Sequence, residues 1–340
     1  MDHYQKSFIR FAEAEAQNSS PLYFFLSKKI VEDEELMGIV REIPITQPKP
    51  NLFFGAMHYL VCKSTDPITA YYPSCTENPY PVEDSFPAFK AFALEHKQQL
   101  LALFQTRLVQ TNEVNRCSFL YPLFFEIAKK RNRSLTLIEI GTSAGLLLTP
   151  DLYNYRIKNG EETILIEREK NAPSLCSVNK GEPLPVMEGE FLMDRRIGID
   201  LNVIDLEKSD DVEWMIALIW PEHHVRRERF KKAATVATTT EKELYQGDLL
   251  EILPNVFSTL SRNTEIIVFH THVANQFSEK LKVQFEQLLL ELSKDQPFYH
   301  IYNNMYDENL HQDFLGNGIS IQEKNMPRGD GHGNVFYWMN

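Results

Sequence analysis

No stretch of this 340-residue chain reaches the roughly 18 apolar residues that a membrane-spanning helix requires, so no membrane partner is expected. Cysteine is scarce: Cys62, Cys75, Cys117 and Cys176 lie far apart, with no C-x-x-C pair. That spacing argues against a zinc knuckle and fits reduced thiols in a cytoplasmic protein better than a disulfide frame. Positive charge is also short, with 35 Lys and Arg against 47 Asp and Glu, a formal net charge of −12. A surface that acidic repels phosphate backbones, so no nucleic-acid partner is expected. The first residues, MDHYQKSFIRFAEAEA, carry charges throughout and lack the apolar core of a signal peptide. Apolar residues, by contrast, make up 43% of the chain, enough to bury a core and to exclude disorder. The length suits about two domains.

Residues 1–134 read as a helical N-terminal cap domain. "SSPLYFFLSKKI" offers Ser20 as a helix N-cap with Pro21 at the first helical position. "NLFFGAMHYLV" reads as a buried helix. "SFPAFKAFALEHKQQLLALFQTRLVQ" reads as the longest one, with an apolar stripe through Phe89, Phe92, Leu100, Leu103 and Phe104. "KSTDPITAYYPSCTENPYPVEDS" reads as an ordered loop, and "RCSFLYPLFFEIAKKRNRS" as a helix with a basic end. From residue 135 to 340 short apolar runs alternate with helical patterns. "LTLIEI", "ETILIE", "RIGIDL", "ELYQGD" and "EIIVFHTH" read as strands, and "QPFYHIYNNMYD" and "GNVFYWMN" as two more. "AGLLLTPDLYNY", "PEHHVRRERFKKAATVA" and "SEKLKVQFEQLLLELSKD" read as helices between them. The alternation predicts an α/β fold with an open, mostly parallel sheet and helices on both faces.

Within 135–147, "GTSAG" admits two chemistries. As G-x-S-x-G it is a nucleophile elbow, with Ser143 attacking an acyl group and Asp307 or Asp313 with His332 completing a triad. No earlier strands build the required sheet, and no HG-G-type loop supplies an oxyanion donor. As an acidic strand end before a glycine-punctuated turn, it is a cofactor loop of the class I S-adenosylmethionine (SAM) methyltransferase type, in a Rossmann-like sheet. Glu139 then ends the first strand, and Gly141, Thr142, Ser143, Ala144 and Gly145 form the turn that brings backbone N–H groups and a helix N-terminus to the ligand. Asp200 after "RIGID" suits the ribose hydroxyls and Asp248 after "LYQGD" suits the adenine amine. The middle glycine of the usual G-x-G-x-G is here Ser143. The long gap to Asp200 implies an insertion and leaves Glu167 after "ETILIE" as the alternative ribose acid.

The segments "SPLYFFLSKKI", "AYYPSC", "RLVQTNEVNRC", "LIEIGTSAGLLLTPDLYNYRI", "RIGIDLNVIDL", "ALIWPEH", "GDLLEILP" and "VFHTHV" resemble an uncharacterised bacterial family catalogued as domain of unknown function 2332. The resemblance runs over nearly the whole chain and implies a methyltransferase-like fold. "RLVQTNEVNRC" and "EIGTSAGL" are its most specific pieces.

"FHTH" places His270 and His272 on one strand face. A zinc site would need a third ligand that nothing nearby supplies, so no metal is expected. His270, which also matches the family pattern, is the candidate general base. In "RLVQTNEVNRC", Arg107, Asn112, Glu113 and Arg116 are candidate substrate-binding residues, with an arginine meeting an anionic group. The reading is a SAM-dependent methyltransferase-like protein acting on a small molecule. A serine hydrolase using Ser143 and a non-catalytic ligand-binding protein of the same fold stand as alternatives.

Overall fold

The computed structural model describes residues 1–110 and 112–340. In chain order come α1 (His3–Phe11), α2 (Pro21–Glu32), α3 (Glu34–Val40), α4 (Lys49–Cys62), α5 (Ser85–Glu95), α6 (Lys97–Thr106) and α7 (Cys117–Arg131). Strand β1 (Leu135–Ile140) follows, then β2 (Asn154–Asn159), β3 (Glu162–Ile166), β4 (Ser174–Asn179) and β5 (Met193–Asp200). Next are α8 (Ser209–Ala217), α9 (His224–Thr239), β6 (Glu243–Gln246), α10 (Leu249–Ser258), β7 (Glu265–His270) and α11 (Glu279–Asp295). The strands β8 (Phe298–Tyr302), β9 (Leu310–Gly316), β10 (Ile319–Met326) and β11 (Val335–Phe336) end the chain's regular structure.

Contacts divide the chain into two compact units, Met1–Thr111 with Glu207–Glu228, and Asn112–Leu206 with Arg229–Asn340. Thus α7, expected before the boundary at residue 134, packs in the second unit, and the later segment 207–228 packs in the first.

The first unit is helical around an aromatic core of Phe8, Phe11, Tyr23, Phe53, Phe54 and Trp214. Ser20 caps α2 by accepting the Tyr23 N–H, with Pro21 in the first turn, where its missing N–H leaves no helical bond unmade. The same hydroxyl donates to Glu222 at 2.7 Å, which also accepts the Leu22 N–H. Gly55 lets Leu218, just past the end of α8, pack closely: a Cβ there would lie 2.8 Å from the Leu218 side chain. The long helix expected over 85–110 is two, broken at His96, whose ring and N–H both meet the Phe92 carbonyl.

The second unit holds a seven-stranded sheet in the order β10-β9-β8-β7-β1-β5-β6. Strands β6, β5, β1, β7 and β8 are parallel, and β9 and β10 extend the sheet as an antiparallel hairpin. This is the expected open α/β sheet, and the fully buried β1 and β7 are mostly apolar because both faces are covered. Leu253, Phe257, Phe285 and Leu289 of α10 and α11 join one face of the core, while Phe124 of α7 packs against Phe269.

A second sheet, ordered β11-β4-β2-β3, is built by the insertion between β1 and β5. Two expectations change here. "ETILI" forms β3 of this small sheet, so Glu167 follows a strand outside the main one. "AGLLLTPDLYNY" is not a helix but two 3-10 turns, Leu146–Leu148 and Pro150–Leu152. In a helix the Leu146 carbonyl would accept from residue 150, a proline without an N–H. The Tyr153 hydroxyl donates to it instead, at 2.7 Å.

Candidate functional site

Numbered along the chain, the five parallel strands run 3-2-1-4-5, so the order reverses between β1 and β7. In open α/β sheets ligands bind outside the strand carboxyl ends at such a reversal. Glu139, the GTSAG turn, Asp200, Asp248 and the segment after His270 all lie at that edge, because β1, β5, β6 and β7 are parallel.

The turn is held mostly by its own chain. Gly141 and Thr142 donate their N–H groups to the Ile199 carbonyl. Ser143, in the left-handed region at φ 51°, donates its N–H to the Asp200 carboxylate at 2.7 Å. Asp200 also accepts the Asn202 N–H, and burial raises its carboxyl while these two amides lower it. Gly141 is glycine for two reasons: φ is +74°, and a Cβ would lie 2.3 Å from the Val273 side chain. The close neighbour on that face is therefore Val273. Gly145, at φ +72°, packs against Lys242 and Leu244, and Ala144 is buried. Only the 3-10 turn Leu146–Leu148 follows, so the α-helix N-terminus expected there is missing.

Glu139 is 3% exposed and accepts the Thr142 hydroxyl at 2.7 Å. Burial pushes its carboxyl well above the usual range; the Thr142 hydroxyl and Arg116 pull down and Asp200 pushes up. Two polar atoms beside Thr142 are buried without a hydrogen-bond partner among the described residues, the Ser143 hydroxyl and the Asn112 side-chain oxygen. Asn112 spends its amide protons on the Thr142 carbonyl at 2.9 Å. Among the described residues, then, no histidine partners the Ser143 hydroxyl. Asp248 is exposed and caps α10, accepting the Leu250 N–H at 2.8 Å.

Of the four candidate substrate residues, three gather at this edge. Arg116 donates to the Gly331 carbonyl at 3.0 Å and to Thr271. Glu113 accepts from Arg229 at 3.4 Å and faces the His332 ring at 3.6 Å. Arg107 does not join them: it belongs to the first unit, where its guanidinium pairs with Asp210 and, at 2.6 Å, with Asp211.

The candidate base also changes. His270 is fully buried among Phe277, Phe285, His300 and Tyr302, and neither ring nitrogen has a partner among the described residues. Burial holds its ring neutral, with a pKa near 3. No acceptor molecule reaches it there. His272, past the end of β7, stands at φ 57° and lines a small cleft with Phe119, Asn303, Met326, Arg328 and Asp330. Its N–H donates to Asn303 at 2.8 Å and its Nδ1 lies 3.4 Å from the Asn304 amide. Burial, then Arg116, Arg328 and His332, lower its pKa to about 3, against Asp330. Sequence reasoning missed this cleft. Its one sequence signal is "RGDGHG" at 328–333, where Gly333 at φ +73° leaves a Cβ only 2.5 Å from the Asn115 carbonyl.

Among the described residues no group of three potential ligands could hold a metal ion, and no helix is long and apolar enough to cross a membrane. The profile of the family described as "Uncharacterized protein conserved in bacteria (DUF2332)" matches residues 5–338, and the chain belongs to that family. No curated protein and no solved structure matches it significantly.

Proposed function

We propose that this member of the DUF2332 family binds S-adenosylmethionine at the carboxyl ends of β1 and β5 and methylates a small molecule in the cleft beside His272. What supports this is the place of the GTSAG turn and Asp200 at the edge next to the reversal of strand order. The donor set fits an adenosyl ligand. Asp200 has lone pairs beyond its two backbone bonds, and Asp248 offers a second carboxylate on the same edge. The orphaned Ser143 hydroxyl and Asn112 oxygen cost about 1–3 kcal/mol each while unpaired. A ligand carrying amino and carboxylate groups supplies partners for both.

The cofactor brings an electrophilic methyl group; the chain's work is alignment and exclusion of water. Arg116 joins the two regions, lowering both the Glu139 carboxyl and the His272 ring. With a pKa near 3, His272 is neutral at pH 7 and a weak base. It orients an acceptor by hydrogen bonding rather than by taking its proton, and this replaces His270 in the role assigned from sequence.

The test is calorimetric titration and thermal shift with SAM and S-adenosylhomocysteine. Wild type binds and its melting temperature rises by ligand linkage, and Asp200→Asn weakens binding roughly tenfold, about 1.4 kcal/mol. His270→Leu leaves binding unchanged. Neither heat nor a thermal shift at millimolar ligand, with folded wild-type protein, overturns the reading.

A further inference from the structure

Away from that edge, in the helical unit, two thiols meet. Cys62 ends α4, and Cys75 sits in a turn closed by its N–H bonding to the Tyr72 carbonyl at 2.8 Å. Both residues are exposed, and their Sγ atoms are 3.6 Å apart across a sequence separation of 13. Bonding distance is about 2.05 Å, so closing the gap requires only a small movement of a surface turn. By contrast, Cys117 is buried and Cys176 lies in the other unit.

The surroundings make the two sulfurs unequal. The hydrogen bond between the two thiols lowers Cys75 against burial and, together with burial, raises Cys62, while Arg227 lowers both. Ser74 does not contribute a proton to Cys75. His58 Nδ1 faces the Ala217 carbonyl at 2.9 Å, an acceptor only, so the ring's Nε2 is unprotonated and accepts a hydrogen bond from the Ser74 hydroxyl at 2.7 Å. That relay, with His58 fully buried, fixes the residue next to Cys75. The inequality of the pair therefore follows from the hydrogen bond the two thiols share, because Arg227 lowers both. A low-pKa, accessible thiolate beside a second thiol is the arrangement of a redox-responsive pair.

We propose that Cys62 and Cys75 form a redox-active dithiol that closes to an intramolecular disulfide on exposure to a peroxide. The Cys75 thiolate attacks the peroxide; an S–O bond forms as the O–O bond breaks, and the leaving oxygen takes a proton to depart as water or an alcohol. Cys62 then gives up its proton and attacks the sulfenic sulfur. The S–S bond forms, and the hydroxyl leaves as water with that proton. The pair loses two electrons, the peroxide gains two, and a dithiol reductant returns the protein to its starting state. The disulfide would tie the end of α4 to the loop that carries the 3-10 turn Pro67–Tyr71.

The experiment uses the full chain with stoichiometric hydrogen peroxide, followed by alkylation and peptide mass spectrometry. Expected is one linked peptide pair joining Cys62 to Cys75, reversed by dithiothreitol, with Cys176 alkylated throughout. Before oxidation, Cys75 should alkylate roughly tenfold faster than Cys176 at neutral pH. In Cys62→Ser, a dimedone adduct should accumulate at Cys75, while Cys75→Ser should leave Cys62 unoxidised. The wild-type measurements stand even if a variant folds poorly. Equal alkylation of Cys75 and Cys176, with no linked peptide after peroxide, overturns the proposal.

Discussion

His270 shows how burial alone sets a residue's chemistry. Its ring is neutral because desolvation depresses the pKa from 6.5 to about 3, and no partner among the described residues compensates. A histidine with a depressed folded-state pKa contributes stability that is present above 6.5 and lost as pH falls toward the folded value. His270→Leu removes that dependence. Its urea midpoint should therefore gain on wild type steadily as pH is lowered from about 7 to about 4. A difference between the two that is flat with pH would show that the ring is not buried neutral. His300, 5.2 Å away by ring centroids, is depressed by the same burial and by His270 itself, so its share should also ease in the variant.

At the scale of elements, the GTSAG turn depends on the segment after β7. Gly141→Ala meets two separate penalties, the positive φ and the Val273 side chain at 2.3 Å. It should lose more than about 2 kcal/mol in urea unfolding. Val273→Ala in the same chain should recover the packing part but not the conformational part, giving a non-additive cycle. Additive losses would show that Gly141 and Val273 do not share one packing contact. The same turn is tied to β5 through Asp200, so its geometry depends on a residue 57 positions beyond Ser143.

At the scale of the whole molecule, the helical unit is discontinuous in sequence. Trp214, 1% exposed, and Ala217 belong to its core, Trp214 donates to the Leu108 carbonyl at 2.9 Å, and Glu222 caps α2. Losing a buried tryptophan costs about 3–5 kcal/mol against a typical total of 5–15. A fragment ending at residue 111 should therefore bind a hydrophobic dye and melt without cooperativity. The same fragment with residues 207–228 joined through a flexible linker should melt cooperatively. A cooperative transition in the shorter fragment would show that the segment 207–228 is not needed for the core.

Local chemistry in the sequence determined much of this protein. Ser20 and Pro21 start α2 as read, since a cap and a first-turn proline need only their neighbours. The runs around Leu135–Ile140, Ile197–Asp200 and Ile266–His270 become the parallel core because β-branched and apolar residues suit strands covered on both faces. Their order placed Glu139, Asp200 and Asp248 at one edge. The Leu146–Pro150 spacing was readable too, as a carbonyl whose helical donor is absent. Tertiary structure decided the rest. The period of two put His270 and His272 on one face, but β7 ends at His270, and only the surrounding helix and strand seal one ring while the other lines a cleft. Arg107 and Arg116 are nine residues apart and look alike in sequence. Their different partners, Asp210 and Asp211 for one and the Gly331 carbonyl and Thr271 for the other, depend on which unit each joins. The meeting of Cys62 and Cys75 and the return of α8 to the first unit are likewise contacts between distant positions, made by packing that no local pattern encodes.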